Sequence, residues 1–273
     1  KKCSNKMWPM GDKLLKETKT YKYLGVLINS SLKDNNHITE HVKNKAAKAE
    51  SSMRYTLAMH SDINRINFGN SLWHKATLPS LKHACAVWFN DTQTAKDTLN
   101  SSQYRCARAV LKLQAKPSRI ATIGELGWTP IVDELDTARA SYYLHINSLS
   151  DNRLVKKVYN LLHELYESNV NTNFGYFANM KQIFTSRGVD YMFSNKFDMN
   201  RFKSMVRSNW SERFKQETER LPSLQLYHNL KSDINCSHYL CSKYCFKAIQ
   251  LKFRLRTGVL GIGSNHHRQH RSD

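Results

Sequence analysis

The sequence predicts a mainly α protein: a short β-hairpin, then a helical bundle, then a longer helical region. Three observations carry this. Apolar residues recur every three or four positions through most of the chain after residue 37. A run of aromatic and β-branched residues, 21–28, breaks that pattern near the start. Gly and Pro number only ten and five in 273 residues, too few for an all-β or Gly-loop architecture.

The hairpin is read from Lys13-Leu14-Leu15-Lys16, the polar Glu17-Thr18-Lys19, and Tyr21-Lys22-Tyr23-Leu24-Gly25-Val26-Leu27-Ile28. Gly25 falls inside the second predicted strand, which implies a bulge or the close approach of another backbone. A helix over 37–59 follows from the stripe Ile38, Val42, Ala46, Ala49, Met53, Leu57. A second helix is predicted from Asn64 to Leu78, interrupted at Pro79 and resuming over 81–89. A third begins at Asp91 or Thr92, either able to cap it, and carries Ala95, Leu99, Cys106, Val110 and Leu113. Short linkers make these three a bundle. Lys116-Pro117-Ser118 marks a break. Beyond it the pattern gives helices at 119–126, 131–149, 151–168, 175–187, 199–220 and 239–256, with Thr257-Gly258 as the last stop. The tail, 261–273, is basic, without apolar period, and expected to be flexible.

Lys+Arg is 42 against 22 Asp+Glu, a net charge of +20. The excess is +11 over 1–115, +3 over 116–230 and +6 over 231–273. Such a charge repels itself unless a polyanion screens it, so nucleic acid is the first partner to consider and a solvated basic surface the plain alternative. Hydrophobics at 40% and aromatics at 11% exclude a fully disordered basic tail. No apolar run has the length of a membrane span, and no apolar segment follows Lys1-Lys2-Cys3-Ser4-Asn5-Lys6, so neither a membrane anchor nor a secretory signal is predicted. Six singly placed Cys suit a reducing, intracellular compartment. The chain begins at Lys rather than Met, and a fragment of a longer product is the expectation.

Catalytic signatures are missing from the sequence. There is no [FY]-x-Asp-Asp pair for two-metal phosphoryl transfer, no phosphate loop and no Gly-x-Ser-x-Gly elbow. Cys236, His238, Cys241 and Cys245 offer zinc-type ligands, but Cys241 and Cys245 at i, i+4 also fit a helix face in a core. No catalytic or metal residue is assigned. Tyr21, Tyr23, Trp73 and Trp88 could stack on bases. Each Trp also fits a core stripe, and Tyr21 and Tyr23, on one strand face, fit either core packing or substrate contact.

Several of these segments together resemble the C-terminal part of reverse transcriptases from non-LTR (LINE-like) retrotransposons. Tyr21 to Ile28 is similar to the Y-K-Y-L-G-V-x-[IL] hairpin that closes their palm. His37-Ile38 and the Lys-rich helix look like the first thumb helix. Leu72, Pro79 and Ala86-Val87-Trp88 resemble the second. Leu99, Gln103, Arg105, Arg108 and Leu111 resemble the L-x-x-x-Q-x-R-x-x-R-x-[IV]-L helix. Ile123-Gly124-Glu125-Leu126-Gly127-Trp128-Thr129-Pro130-Ile131 is similar to the L-x-E-L-G-W-x-P-[LI] turn. Phe253-Arg254-Leu255-Arg256-Thr257-Gly258 resembles the R-L-R-T-G element before the family's Cys/His knuckle.

The resemblance implies a palm-terminal β-hairpin (1–29), a helical thumb (30–115), a helical linker (116–260) and a flexible tail (261–273). It implies a primer-grip-like role for Tyr21, Tyr23, Leu24 and Gly25. Lys43, Lys45, Lys48, Arg105, Arg108, Arg254 and Arg256 become candidate nucleic-acid contacts, which position rather than specify. The implied partners are an RNA template and a DNA primer, without a membrane. The catalytic palm would lie upstream of Lys1 and the knuckle beyond Asp273. No cofactor is expected in this segment, and Mg belongs to the complete polymerase. The expected location is nuclear and cytoplasmic. The alternative is a non-catalytic, domesticated nucleic-acid-binding protein of the same origin.

Overall fold

A computed structural model describes residues 7–16, 18–29, 36–60, 64–86, 92–114, 116–168, 175–189, 198–242 and 244–260. Val87, Trp88 and the tail 261–273 lie outside these. The protein is mainly helical, with small antiparallel two-stranded sheets at its start.

The expected single hairpin is two. Strand β1 (Met7–Met10) pairs with β2 (Lys13–Lys16), and β3 (Thr20–Tyr23) pairs with β4 (Val26–Asn29). Lys13–Lys16 therefore turns back on Met7–Met10 rather than onto the Tyr21 strand. Gly11, with φ +57°, and Asp12 form the first turn. Gly25 is not inside a strand either. Leu24 and Gly25 have φ +45° and +84° and are the two central residues of the second turn, the primed pattern whose twist matches paired strands.

Helix α1 (Asn36–Met59) is followed by α2 (Arg65–Leu72), a π turn (Trp73–Thr77) and α3 (Leu78–Lys82). The helix runs through Pro79 instead of breaking there. Proline lacks an N–H and crowds the carbonyl four residues back; the π turn widens the spiral where that conflict falls. Lys82 ends α3 and a turn follows over 83–86; positions 87–89 of the predicted stretch lie outside the described residues.

Thr92 caps α4 (Gln93–Val110), its hydroxyl accepting from the Ala95 N–H at 3.3 Å. Next come α5 (Arg119–Leu126), α6 (Ile131–Ser148), α7 (Leu154–Glu167), α8 (Tyr176–Ser186) and α9 (Met199–Arg220). A short α10 (Gln225–Leu230) was not expected. The final helix α11 (Phe246–Arg256) starts later than 239, where His238–Cys241 forms a 3-10 turn instead.

Two apolar cores result. The larger joins Val42, Met53 and Leu57 of α1 with Trp73, Val110, Trp128, Phe214 of α9, Tyr227 and Phe253 of α11. Residues on both sides of position 115 thus share one interior. The smaller packs Tyr143, Tyr159, Phe177, Phe184 and Phe202 from α6 to α9. Helices α6 and α9 serve both, and a buried ion network ties them to α8. Arg187 donates to Asp133 at 2.5 Å and to Asp136 at 2.8 Å, and Arg213 pairs with Asp133 as well. Burial works against the Arg187 charge, but Asp133 and Asp136 more than offset it and hold the guanidinium above its ordinary value. No helix among the described residues is long and apolar enough to cross a membrane.

Candidate nucleic-acid interface

The β3–β4 turn, α1 and the C-terminal end of α3 meet at one edge of the molecule. A bend after α3, with Ala84 at φ +56°, is pinned from two sides. Arg139 of α6 donates to the Cys85 carbonyl at 3.2 Å, and Lys82 pairs with Glu134 of α6 at 2.9 Å. From α1, Lys45 Nζ donates to the His83 carbonyl at 2.7 Å. A Cβ placed on Gly25 would stand 3.4 Å from His83 Cε1. The hairpin tip therefore rests on a bend that Lys45 and Arg139 fix. Burial pushes the Lys45 ammonium below its ordinary value, opposed by Cys85.

The side chains of β3 and of the turn residue Leu24 face solvent. Tyr21 is 62% exposed, Tyr23 57% and Leu24 76%. Of the two readings open to Tyr21 and Tyr23, core packing does not hold: their shared strand face is free to contact a ligand. Lys22 is exposed too, on the opposite face of β3. Trp73 goes the other way, buried and stacked on Trp128 with ring centroids 4.3 Å apart.

The seven cations do not form one surface. On α1, Lys43 and Lys48 are both exposed. At 100° per residue they stand roughly 140° apart on the helix. Lys48 lies on the Lys45 flank, towards the hairpin and the α3 bend. Lys43 lies on the flank of Glu50, whose carboxylate takes Arg54 at 3.0 Å and Arg105 at 2.5 Å. Arg108 folds back onto the carbonyls of Leu113 and Gln114 at the end of α4. Arg256 holds the fully buried Glu125 at 3.1 Å and also reaches the Leu230 carbonyl. Arg254 on α11 is half-buried, and its Nε is enclosed. Arg105, Arg108 and Arg256 thus support the fold, whereas Lys43 and Lys48 present their charge to solvent.

The motif residues quoted above converge in the interior. Gln103 of α4 donates to the Thr129 carbonyl at 2.7 Å and accepts from the Ile131 N–H at 3.0 Å, setting the start of α6. Trp128 donates to Asn70 at 2.8 Å. Gly127, at φ +69°, ends α5, with its own N–H on Gly124 and that of Trp128 on Ile123. Glu125 meets Arg256 from α11. Burial, then the nearby Glu125, drives the Tyr227 and Tyr239 phenols well above their ordinary range. In sequence, His83 carried no signal for its place at the hairpin: it lies 58 positions from Gly25, and the α3 bend brings them together.

Among the possible zinc ligands, Cys236 and Cys241 bring their sulfurs to 3.9 Å. Burial and the neighbouring Cys241 push the Cys236 thiol up to about 12. Among the described residues no three His, Cys, Asp or Glu side chains gather as a metal site would require. No family model, curated protein or solved structure matches this chain.

Proposed function

We propose that this chain holds an RNA–DNA template–primer duplex, as the palm-end hairpin, thumb and linker portion of a non-LTR retrotransposon reverse transcriptase. The observation that carries the reading is the interlock of its motifs. Gln103, Glu125, Gly127, Trp128 and Arg256 were quoted from three separate stretches for their likeness to that family. They stand in contact, directly or through one shared turn, around the start of α6. Chance likenesses scattered along a chain have no reason to meet.

On this reading the interlock is scaffold, and the ligand surface is the basic edge beside it. Lys48 neutralises phosphates, Tyr21 and Tyr23 stack on bases or sugars, and the fixed α3 bend sets the hairpin's reach. Chemistry needs the carboxylate pair and Mg of a complete polymerase. The 273 residues hold no [FY]-x-Asp-Asp, so the function proposed for this chain is binding. A non-catalytic nucleic-acid-binding protein of the same origin would use the same edge.

Fluorescence anisotropy with an RNA–DNA hybrid tests the proposal. Affinity should fall steeply between roughly 50 and 200 mM salt. Lys48→Glu and the pair Tyr21→Ala, Tyr23→Ala should weaken binding without changing thermal stability. Arg105→Gln should chiefly lower stability. A flat salt response, or binding indifferent to Lys48 and both tyrosines, would sink it.

A further inference from the structure

Helix α7 has two apolar sides, and only one is covered. Tyr159 and Tyr166 rest on Phe177 at 5.0 and 5.8 Å between ring centroids, inside the smaller core. Lys156 lies over the Tyr159 ring at 4.9 Å and donates to the Asn147 carbonyl. The other side carries Leu154, Val155, Val158, Leu161, Leu162 and Leu165, all between 43% and 75% exposed. A contiguous stripe of this kind is unusual on a monomer surface and marks a contact site.

Spacing and charge say what fits it. Leu154, Val158, Leu161 and Leu165 follow one another at 4, 3 and 4 residues, the heptad seam by which one helix packs along another. One edge of the seam is apolar, Val155 and Leu162. The other carries Lys157 and Glu164, both exposed and seven residues apart. Among the described residues neither joins an ion pair. Against an antiparallel copy of α7, like edges face each other. Lys157 then meets Glu164 of the second copy, and the twofold axis repeats the pair. Val155 and Leu162 face their equivalents and widen the apolar contact. A parallel copy would instead set Lys157 over Leu162 and leave both charges unmatched.

We propose that the exposed face of α7 is a self-association surface, filled by α7 of a second copy of this chain running antiparallel. The seam is about 16 Å long at 1.5 Å per residue. That is a small interface, so the expected Kd is on the order of 1–100 μM.

Sedimentation velocity of the 273-residue chain across that range tests this, with circular dichroism to verify folding. Lys157→Glu and Glu164→Lys, each at an exposed site, should each raise the dimer Kd roughly tenfold, because two attractive pairs become repulsive. Mixing the two variants should restore association, since every 157–164 contact in the mixed dimer again joins opposite charges. Leu161→Lys should abolish it. A chain that stays monomeric throughout overturns the proposal. So does a dimer that ignores the charge changes, or a mixture no tighter than its components.

Discussion

Gly25 shows how a residue's meaning depends on its neighbours' backbone. In sequence it interrupts a run of good strand formers, and close approach of another chain is one explanation. The structure supplies a nearer one: φ is +84° at Gly25 and +45° at Leu24, so both belong to a turn. A Cβ on Gly25 would meet His83 only at ordinary contact distance. The backbone angle, not crowding, selects glycine there. Leu24 carries the strain instead, since a side chain at positive φ costs about 1–2 kcal/mol. We therefore expect Gly25→Val to speed amide exchange across Thr20–Asn29, and Leu24→Asn to slow it, with little change in the global melting temperature. Hydrogen exchange read by mass spectrometry checks this. Unaltered exchange in Gly25→Val would return the glycine to a ligand-contact role.

At the scale of elements, the decisive joint is the end of α5. Gly127 turns the chain into the left-handed region so that Trp128 can drop onto Trp73 and α6 can start against Gln103. A Cβ on Gly127 would overlap the backbone of Cys236. Gly127→Ala combines left-handed strain with that clash, so the expected loss is at least about 2 kcal/mol. Urea unfolding measures it, and an unchanged midpoint would show that the 235–236 segment yields freely. The helices flanking this joint were legible because their apolar stripes are long: 119–126 matches α5 residue for residue. Short elements were not. Six residues of α10 give too little period to read, and the β1–β2 pairing rests on a two-residue Gly11-Asp12 turn flanked by strands too short to show an alternation.

For the molecule as a whole, charge and core pull in different directions. The +20 excess is concentrated towards the ends of the chain, while the larger core draws residues from 42 to 253 into one interior. Folding therefore brings the two basic ends onto one body, at a cost in self-repulsion. Salt should relieve that cost. Between about 20 and about 200 mM NaCl the melting temperature should rise by a few degrees, as screening shortens the reach of each charge. Calorimetry of the free chain gives the answer, and a flat or falling melting temperature would mean that internal ion pairs such as Arg187 with Asp133 and Asp136 outweigh the surface excess.

Helical class, the stripe of α1, a cap at Asp91 or Thr92 and the basic excess could all be read from the sequence, because periodicity, capping and charge are local properties of a chain. The fate of individual cations could not. Lys48 and Arg105 look alike as letters in a basic helix. Glu50 on another helix claims Arg105, while among the described residues no carboxylate takes Lys48 from solvent. The same holds for Trp73, which lies in the interior because Trp128, 55 positions on, stacks against it. Which polar group is paired, and which aromatic is covered, depends on contacts between distant segments, and those exist only once the helices have packed.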